Sequence, residues 1–176
     1  MKRWLFPKHS LPWLLLALAL VAGALAPDRL AAGEVAGWTT WNAGLKRAAD
    51  TQRPVVVDVY TDWCGWCKRM DRDVYTRSDV RSYLSTHFVA VRLDAEGAEA
   101  ATYDGHSYTG RTLAKRFGIS GYPTTIFLRP NGEHLVNVPG YVPADQFLLL
   151  LRYIGDGHMD RGESFDQFAK SNGAAH

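Results

Sequence analysis

Two cysteines in 176 residues, Cys64 and Cys67, leave no framework of structural disulfides. A bridge between them would close too small a loop to constrain the unfolded chain, so the pair points to reversible redox chemistry or to metal binding rather than to a staple. No cysteine precedes Cys64, which removes lipid attachment at a processed N-terminal cysteine from consideration. Net charge is also scarce. The formal +2 owes its sign to Lys2, Arg3, Lys8 and Arg29, opposed within the first 32 residues by Asp28 alone; past that stretch 16 basic residues face 17 acidic ones. Such a balance creates no long-range field for phosphates, and no basic stripe interleaved with aromatics is present, so no nucleic-acid partner is expected. Long apolar runs are missing after residue 26, and internal repeats and low-complexity segments are missing throughout.

What the chain does have is the composition of a folded domain: 47% apolar and 22% charged residues separate it from disordered and fibrous sequences. Its length suits one domain. Met1 to Ser10 carries three cations, and Leu11 to Ala26 is apolar apart from Pro12 and Gly23. This is the layout of a secretory signal, and the run is shorter than the ~20 residues that cross a bilayer. An uncleaved N-terminal anchor in the inner membrane is the alternative. Ala31-Ala32-Gly33 offers the small residues a signal peptidase needs. Residues 1–33 are therefore expected to be signal or anchor, 34–155 the folded domain and 156–176 a tail, with the protein exported to the periplasm.

Hydrophobic spacing predicts a first helix over Thr39 to Gln52, with Trp41, Leu45, Ala48 and Ala49 on one face and Thr39 or Thr40 as cap. Val55 to Tyr60 is short, β-branched and nearly unbroken, the pattern of a strand covered on both faces. A helix is predicted from Cys64 to about Tyr75, another over Ser78 to His87, and a second strand over Phe88 to Leu93. Asp94 to Thr109 is small and polar, with Gly97, Gly105 and Gly110 marking irregular backbone. Helical spacing resumes at Leu113, Ala114 and Phe117. Thr124 to Leu128 and His134 to Val138 flank an Asn131-Gly132 hairpin signal. Pro143 is expected to open a last core helix through Phe147, Leu150, Leu151 and Ile154, closed by Gly155 in a left-handed cap. Ser164 with Gln167 resembles a capping box, which predicts a short docking helix in the tail. This element order implies an α/β domain with a mixed sheet between helices.

Trp63-Cys64-Gly65-Trp66-Cys67-Lys68, following a buried strand, resembles the thioredoxin active-site motif Trp-Cys-Gly-Pro-Cys-Lys. Val57-Asp58 resembles the buried Val-Asp of thioredoxins, and Phe117-Gly118-Ile119-Ser120-Gly121-Tyr122-Pro123-Thr124 resembles their Tyr-Gly-Ile-Arg-Gly-Ile-Pro-Thr segment. Asn131-Gly132-Glu133 and Gly140 also fall in place, so the resemblance runs from about Thr39 to Gly155. Asp62 and the acidic segment around Glu96 and Glu99 add a likeness to exported thioredoxin-like reductases and to the C-terminal domain of DsbD. The resemblance implies a thioredoxin fold, a central mixed sheet of parallel and antiparallel strands flanked by helices. It also implies a thiol:disulfide oxidoreductase that needs no cofactor beyond its own Cys64-Cys67 disulfide.

A thiolate is the attacking species in such chemistry, and a cysteine at a helix N-terminus meets unpaired amides and a positive dipole end that favour the anion. Cys64, expected nearer the solvent, is the candidate nucleophile, and Cys67, one turn in, the resolving thiol. Asp58 is the candidate proton acceptor for Cys67, its pKa raised by burial. Thioredoxins pair that acid with a lysine on the next strand, and the matching place here is taken to be Ala90. Pro123 resembles the family's cis-proline, and Trp63, Gly65, Trp66 and Tyr122 are expected with it in the substrate-binding surface. Lys68 and Arg69 read as surface charges. Trp66 in place of the motif's proline leaves the direction of electron flow open.

The resemblance implies protein disulfides as substrates, a membrane thiol carrier of the DsbD or CcdA type as electron donor, and a monomer. Reduction is the first choice, with oxidase or isomerase activity and a non-catalytic binding module as alternatives. Cys-x-x-Cys is also half a zinc site, but His87, His106, His134, His158 and His176 supply no matching second half, and no metal is expected.

Overall fold

The computed structural model describes residues 37–172 and Met1. The signal or anchor assigned to 1–33 and the proposed start of the mature chain at Glu34 lie outside them. The described elements are α1 (Trp41–Thr51), β1 (Val55–Tyr60), α2 (Gly65–Met70) running into a π-helical turn (Asp71–Tyr75), α3 (Ser78–His87), β2 (Val89–Asp94), β3 (Ala101–Tyr103), β4 (His106–Tyr108), α4 (Gly110–Arg116), β5 (Thr124–Leu128), β6 (His134–Pro139), α5 (Ala144–Gly155) and α6 (Phe165–Ser171). The main sheet has the order β2-β1-β5-β6. β1 lies parallel to β2 and antiparallel to β5, and β5 is antiparallel to β6. This is the mixed sheet of a thioredoxin fold.

Period-two alternation along the central strands feeds two cores. Val55, Val57, Val59, Ile126 and Leu128 join Trp41 and Ala48 of α1 and Leu113 of α4 on one face. Val56 and Phe127 join Met70, Leu84, Phe147 and Leu151 of α2, α3 and α5 on the other. Each fully buried valine contributes ~1.5–3 kcal/mol, so β1 is a rigid base even though it carries the charged Asp58. Gly44, rather than Ala49, completes the inner face of α1, because a Cβ there would stand 2.1 Å from Val91 Cγ2.

The segment 94–109, expected to be irregular, contains a two-stranded hairpin. Asp104 and Gly105 form its tip at φ 50° and 75°, the left-handed pair of a tight two-residue turn. Trp41 Nε1 donates to the Thr102 carbonyl at 2.9 Å, and Asn42 donates to Ala100 O and accepts from Thr102 N, both at 2.8 Å. These bonds fix the hairpin on α1. One further expectation is corrected at α5. Pro143 opens the helix as expected, from the N-cap position. The left-handed residue after it is Gly157, not Gly155: His158 N bonds Tyr153 O at 3.0 Å and Gly157 N bonds Ile154 O at 3.1 Å, a Schellman pair. Gly155 is small for another reason, since its Cβ would meet the Tyr83 hydroxyl at 2.9 Å. In the tail, Ser164 and Gln167 cap α6 reciprocally, and Phe168 packs into the second core. No helix among the described residues is long and apolar enough to cross a membrane.

Candidate active site

Cys64 is the N-cap of α2, and Cys67 sits in its first turn. The two are joined as a disulfide, with Cα atoms 5.3 Å apart. Cys64 Sγ accepts the Cys67 amide at 3.0 Å, so the helix end already directs an N–H at the sulfur on which negative charge would form. Solvent exposure does not separate the cysteines as expected: Cys64 keeps 4% of its surface and Cys67 3%. The distinction lies in that amide, which favours charge on Cys64. Gly65, between them, is exposed and opens the helix.

Asp58 projects from β1 onto the face that α2 and its π-helical turn cover. Its Oδ1 accepts the Tyr75 hydroxyl at 3.1 Å, and its Oδ2 accepts Arg92 Nε at 3.1 Å and Nη2 at 3.0 Å. Ala90 is not the partner position. The parallel register sets Asp58 opposite Arg92, two residues further along the same face. Arg92 Nη2 also donates to Asp71 Oδ1, and its guanidinium lies over the rings of Tyr60 and Trp38 at 4.7 and 5.5 Å. Burial pushes the Asp58 carboxyl up to about 6, against the Arg92 charge and the Arg92 and Tyr75 hydrogen bonds that pull it down. For Arg92 the balance is reversed: burial opposes its charge, but the bonds and charges of Asp71 and Asp58 outweigh it and raise the pKa. Burial and the nearby Asp58 charge hold Tyr75 well above the usual phenol range, so it remains a donor. The arrangement is a buried acid able to take up a proton near neutrality, fixed by a cation that does not let go of its own.

Around the cysteines stand two aromatic pairs. Trp63 is 67% exposed and meets Tyr122 edge-on at 5.9 Å; its Nε1 donates to Glu96 Oε2 at 3.0 Å. Trp66 is 54% exposed and lies 5.6 Å from Tyr141, with the Arg69 guanidinium 5.2 and 5.3 Å from the two rings. The Tyr122-Pro123 peptide bond is cis. Pro123 O is taken by Gly140 N at 2.8 Å, while among the described residues the Tyr122 amide and carbonyl have no backbone partner. Lys68 is exposed, and Arg69 pairs with Asp73 at 3.2 Å. No three His, Cys, Asp or Glu side chains gather into a metal cluster among the described residues.

Sequence reading missed Arg92, Asp71, Tyr75 and Tyr141. Only Arg92 left a signal, as the one charged residue within the apolar run Phe88 to Leu93.

Residues 41–155 match the family model of the thioredoxin-like domain, and the chain belongs to the thioredoxin-like family. Its fold and cysteine pair are those of a thiol:disulfide oxidoreductase. Among curated relatives, the thiol:disulfide interchange protein DsbD of Ralstonia nicotianae is 39% identical over 109 residues, covering 61% of this chain and 16% of that protein. The chain thus matches about a sixth of that relative's length. A thioredoxin from Thermus thermophilus superposes with a TM-score of 0.60 at 25% identity, covering 74% of this chain and 95% of the other. A thioredoxin-fold protein from Helicobacter pylori has the same TM-score at 22% identity, covering 69% and 80%.

Proposed function

We propose that the protein reduces protein disulfides in the periplasm, where its N-terminal segment sends it and either is cleaved or holds it at the inner membrane. The observation that carries this reading is the Cys64-Cys67 pair joined at the mouth of α2, with the exposed rings of Trp63 and Trp66 as its chain neighbours. In the reduced protein the Cys64 thiolate attacks one sulfur of a substrate disulfide. A Cys64–substrate bond forms, and the other substrate sulfur leaves as a thiolate that takes a proton from water. Cys67 then loses its proton to Asp58 and attacks Cys64 Sγ. The mixed disulfide breaks, the second substrate thiolate departs, and two electrons have passed from enzyme to substrate. The free Tyr122 backbone offers an extended substrate segment its hydrogen bonds, and Trp63, Gly65, Trp66 and Pro123 surround its cysteine.

Renewal of the dithiol needs a two-electron donor, for which a membrane thiol carrier of the DsbD or CcdA type is the fitting chemical class, since the periplasm is kept oxidising. The likeness to DsbD supports this assignment. No cofactor other than the Cys64-Cys67 pair, no metal and no second subunit enters the scheme. Insulin reduction by the protein is the test: Cys64→Ser should abolish it, and Cys67→Ser should stop at a covalent enzyme–substrate disulfide. An equilibrium potential near about −270 mV against glutathione fits a reductant, whereas one near about −120 mV would make the protein an oxidant and overturn the proposed direction.

A further inference from the structure

The two aromatic walls beside Cys64 carry opposite charge. In the sheet order, Glu96 follows β2 at one end and Tyr141 follows β6 at the other, so the Trp63 wall and the Trp66 wall stand on opposite sides of the central strands β1 and β5. The first wall is acidic: the Glu96 carboxylate holds the Trp63 indole, Asp62 is its chain neighbour, and neither carboxylate is in an ion pair among the described residues. The second wall is basic. Arg69 and Arg72 share the single carboxylate of Asp73, the nearby Asp71 being held by Arg92, and the neighbouring Lys68 is exposed and in no ion pair among the described residues. Arg69 is moreover fixed in place by the Trp66 and Tyr141 rings.

Resting on the oxidoreductase reading, we infer that the groove selects its polypeptide substrates by charge order: a cysteine flanked by a cationic side chain toward Trp63 and Glu96 and by a carboxylate toward Trp66 and Arg69. Glu96 and Arg69 are its specificity-determining residues. A segment bound with the same charges reversed would bring carboxylate to carboxylate and cation to guanidinium at both walls. At contact distance in a solvent-exposed groove each such exchange changes an interaction by a factor of several, and salt screens it.

The probes are two peptides of identical composition, Lys-Lys-Cys-Glu-Glu and Glu-Glu-Cys-Lys-Lys, each as its symmetric disulfide dimer. One turnover with the pre-reduced protein converts enzyme dithiol and peptide dimer into enzyme disulfide and two peptide thiols. At low salt one order should react at least about fivefold faster than the other, and the ratio should fall below about twofold at 0.5 M salt. Glu96→Gln keeps the acceptor for the Trp63 indole but removes the charge, and it should shrink the ratio, as should Arg69→Gln. Glu133→Gln makes the same change of charge at the far end of β5 and should preserve it. Equal rates for the two orders, or a ratio that survives both groove substitutions, overturns the inference while leaving the oxidoreductase reading intact. If neither dimer is reduced faster by the protein than by its Cys64→Ser variant, the oxidoreductase reading itself fails, and this inference with it.

Discussion

Replacing Asp58 with asparagine should make the oxidised protein more stable at neutral pH while slowing its chemistry. The carboxyl is 1% exposed and its pKa stands at about 6 in the folded chain against an ordinary 3.8. At 1.36 kcal/mol per pH unit, that difference is worth ~3 kcal/mol against the ionised form. Because the folded value is the raised one, the stability is fully present below pH ~4 and is lost as pH climbs through about 6. Asparagine has no proton to lose and escapes that loss. Urea unfolding of both proteins across pH 4 to 8 measures the effect: with a denaturant slope of ~2 kcal/mol per M, the midpoint of Asp58→Asn should gain ~1.5 M on the parent between the two ends. Over the same range its insulin reduction should fall, since the second attack loses its proton acceptor. A midpoint difference that stays constant with pH, or one that turns against the variant at pH 8, would mean that Arg92 and Tyr75 outweigh burial and that Asp58 is ionised in the folded chain at no cost.

Arg92→Met should shift this pH-dependent loss of stability upward, because burial then acts on Asp58 without its counterion, and Arg92→Lys should move it partly back; the midpoint-against-pH curve reads both. Arg53 donates from the chain before β1 to the carbonyls of Ser85 and Phe88 at the end of α3, so Arg53→Met should cost ~1–3 kcal/mol in urea unfolding and speed hydrogen exchange at the last turn of α3. Gly44→Ala should cost ~1–3 kcal/mol by driving a methyl into Val91, and the companion change Val91→Ala should recover part of that loss.

The main sheet was legible because its strands obey simple rules. Apart from Asp58, Val55 to Tyr60 and Thr124 to Leu128 are β-branched or apolar and doubly covered, and the segments Ser78–His87 and Val55–Tyr60 have the bounds expected of them. The hairpin at 101–108 was overlooked because its strands are three residues long and polar on one side, although Asp104-Gly105 is a turn signal of the kind recognised at Asn131-Gly132. Cys64, Cys67, Asp58 and Pro123 could be named from motifs alone. Their supports could not. Which cation faces Asp58 depends on parallel register, which no local pattern states, and a two-residue error stays on the same face of β2. Tyr141 is brought to Trp66 by the return of β6 along β5, a contact across 75 positions that spacing cannot reveal.

The π-helical turn after α2 has a bearing on how this site is inherited. Five residues occupy a stretch in which Asp71 reaches Arg92 and Tyr75 reaches Asp58. Deleting one residue there would return the stretch to ordinary helical phase and swing the tyrosine by about 100°. A cousin with every one of these side chains but a chain shorter by one link would have the same letters and an unattended acid. What descends intact in such a site is a count as much as an alphabet.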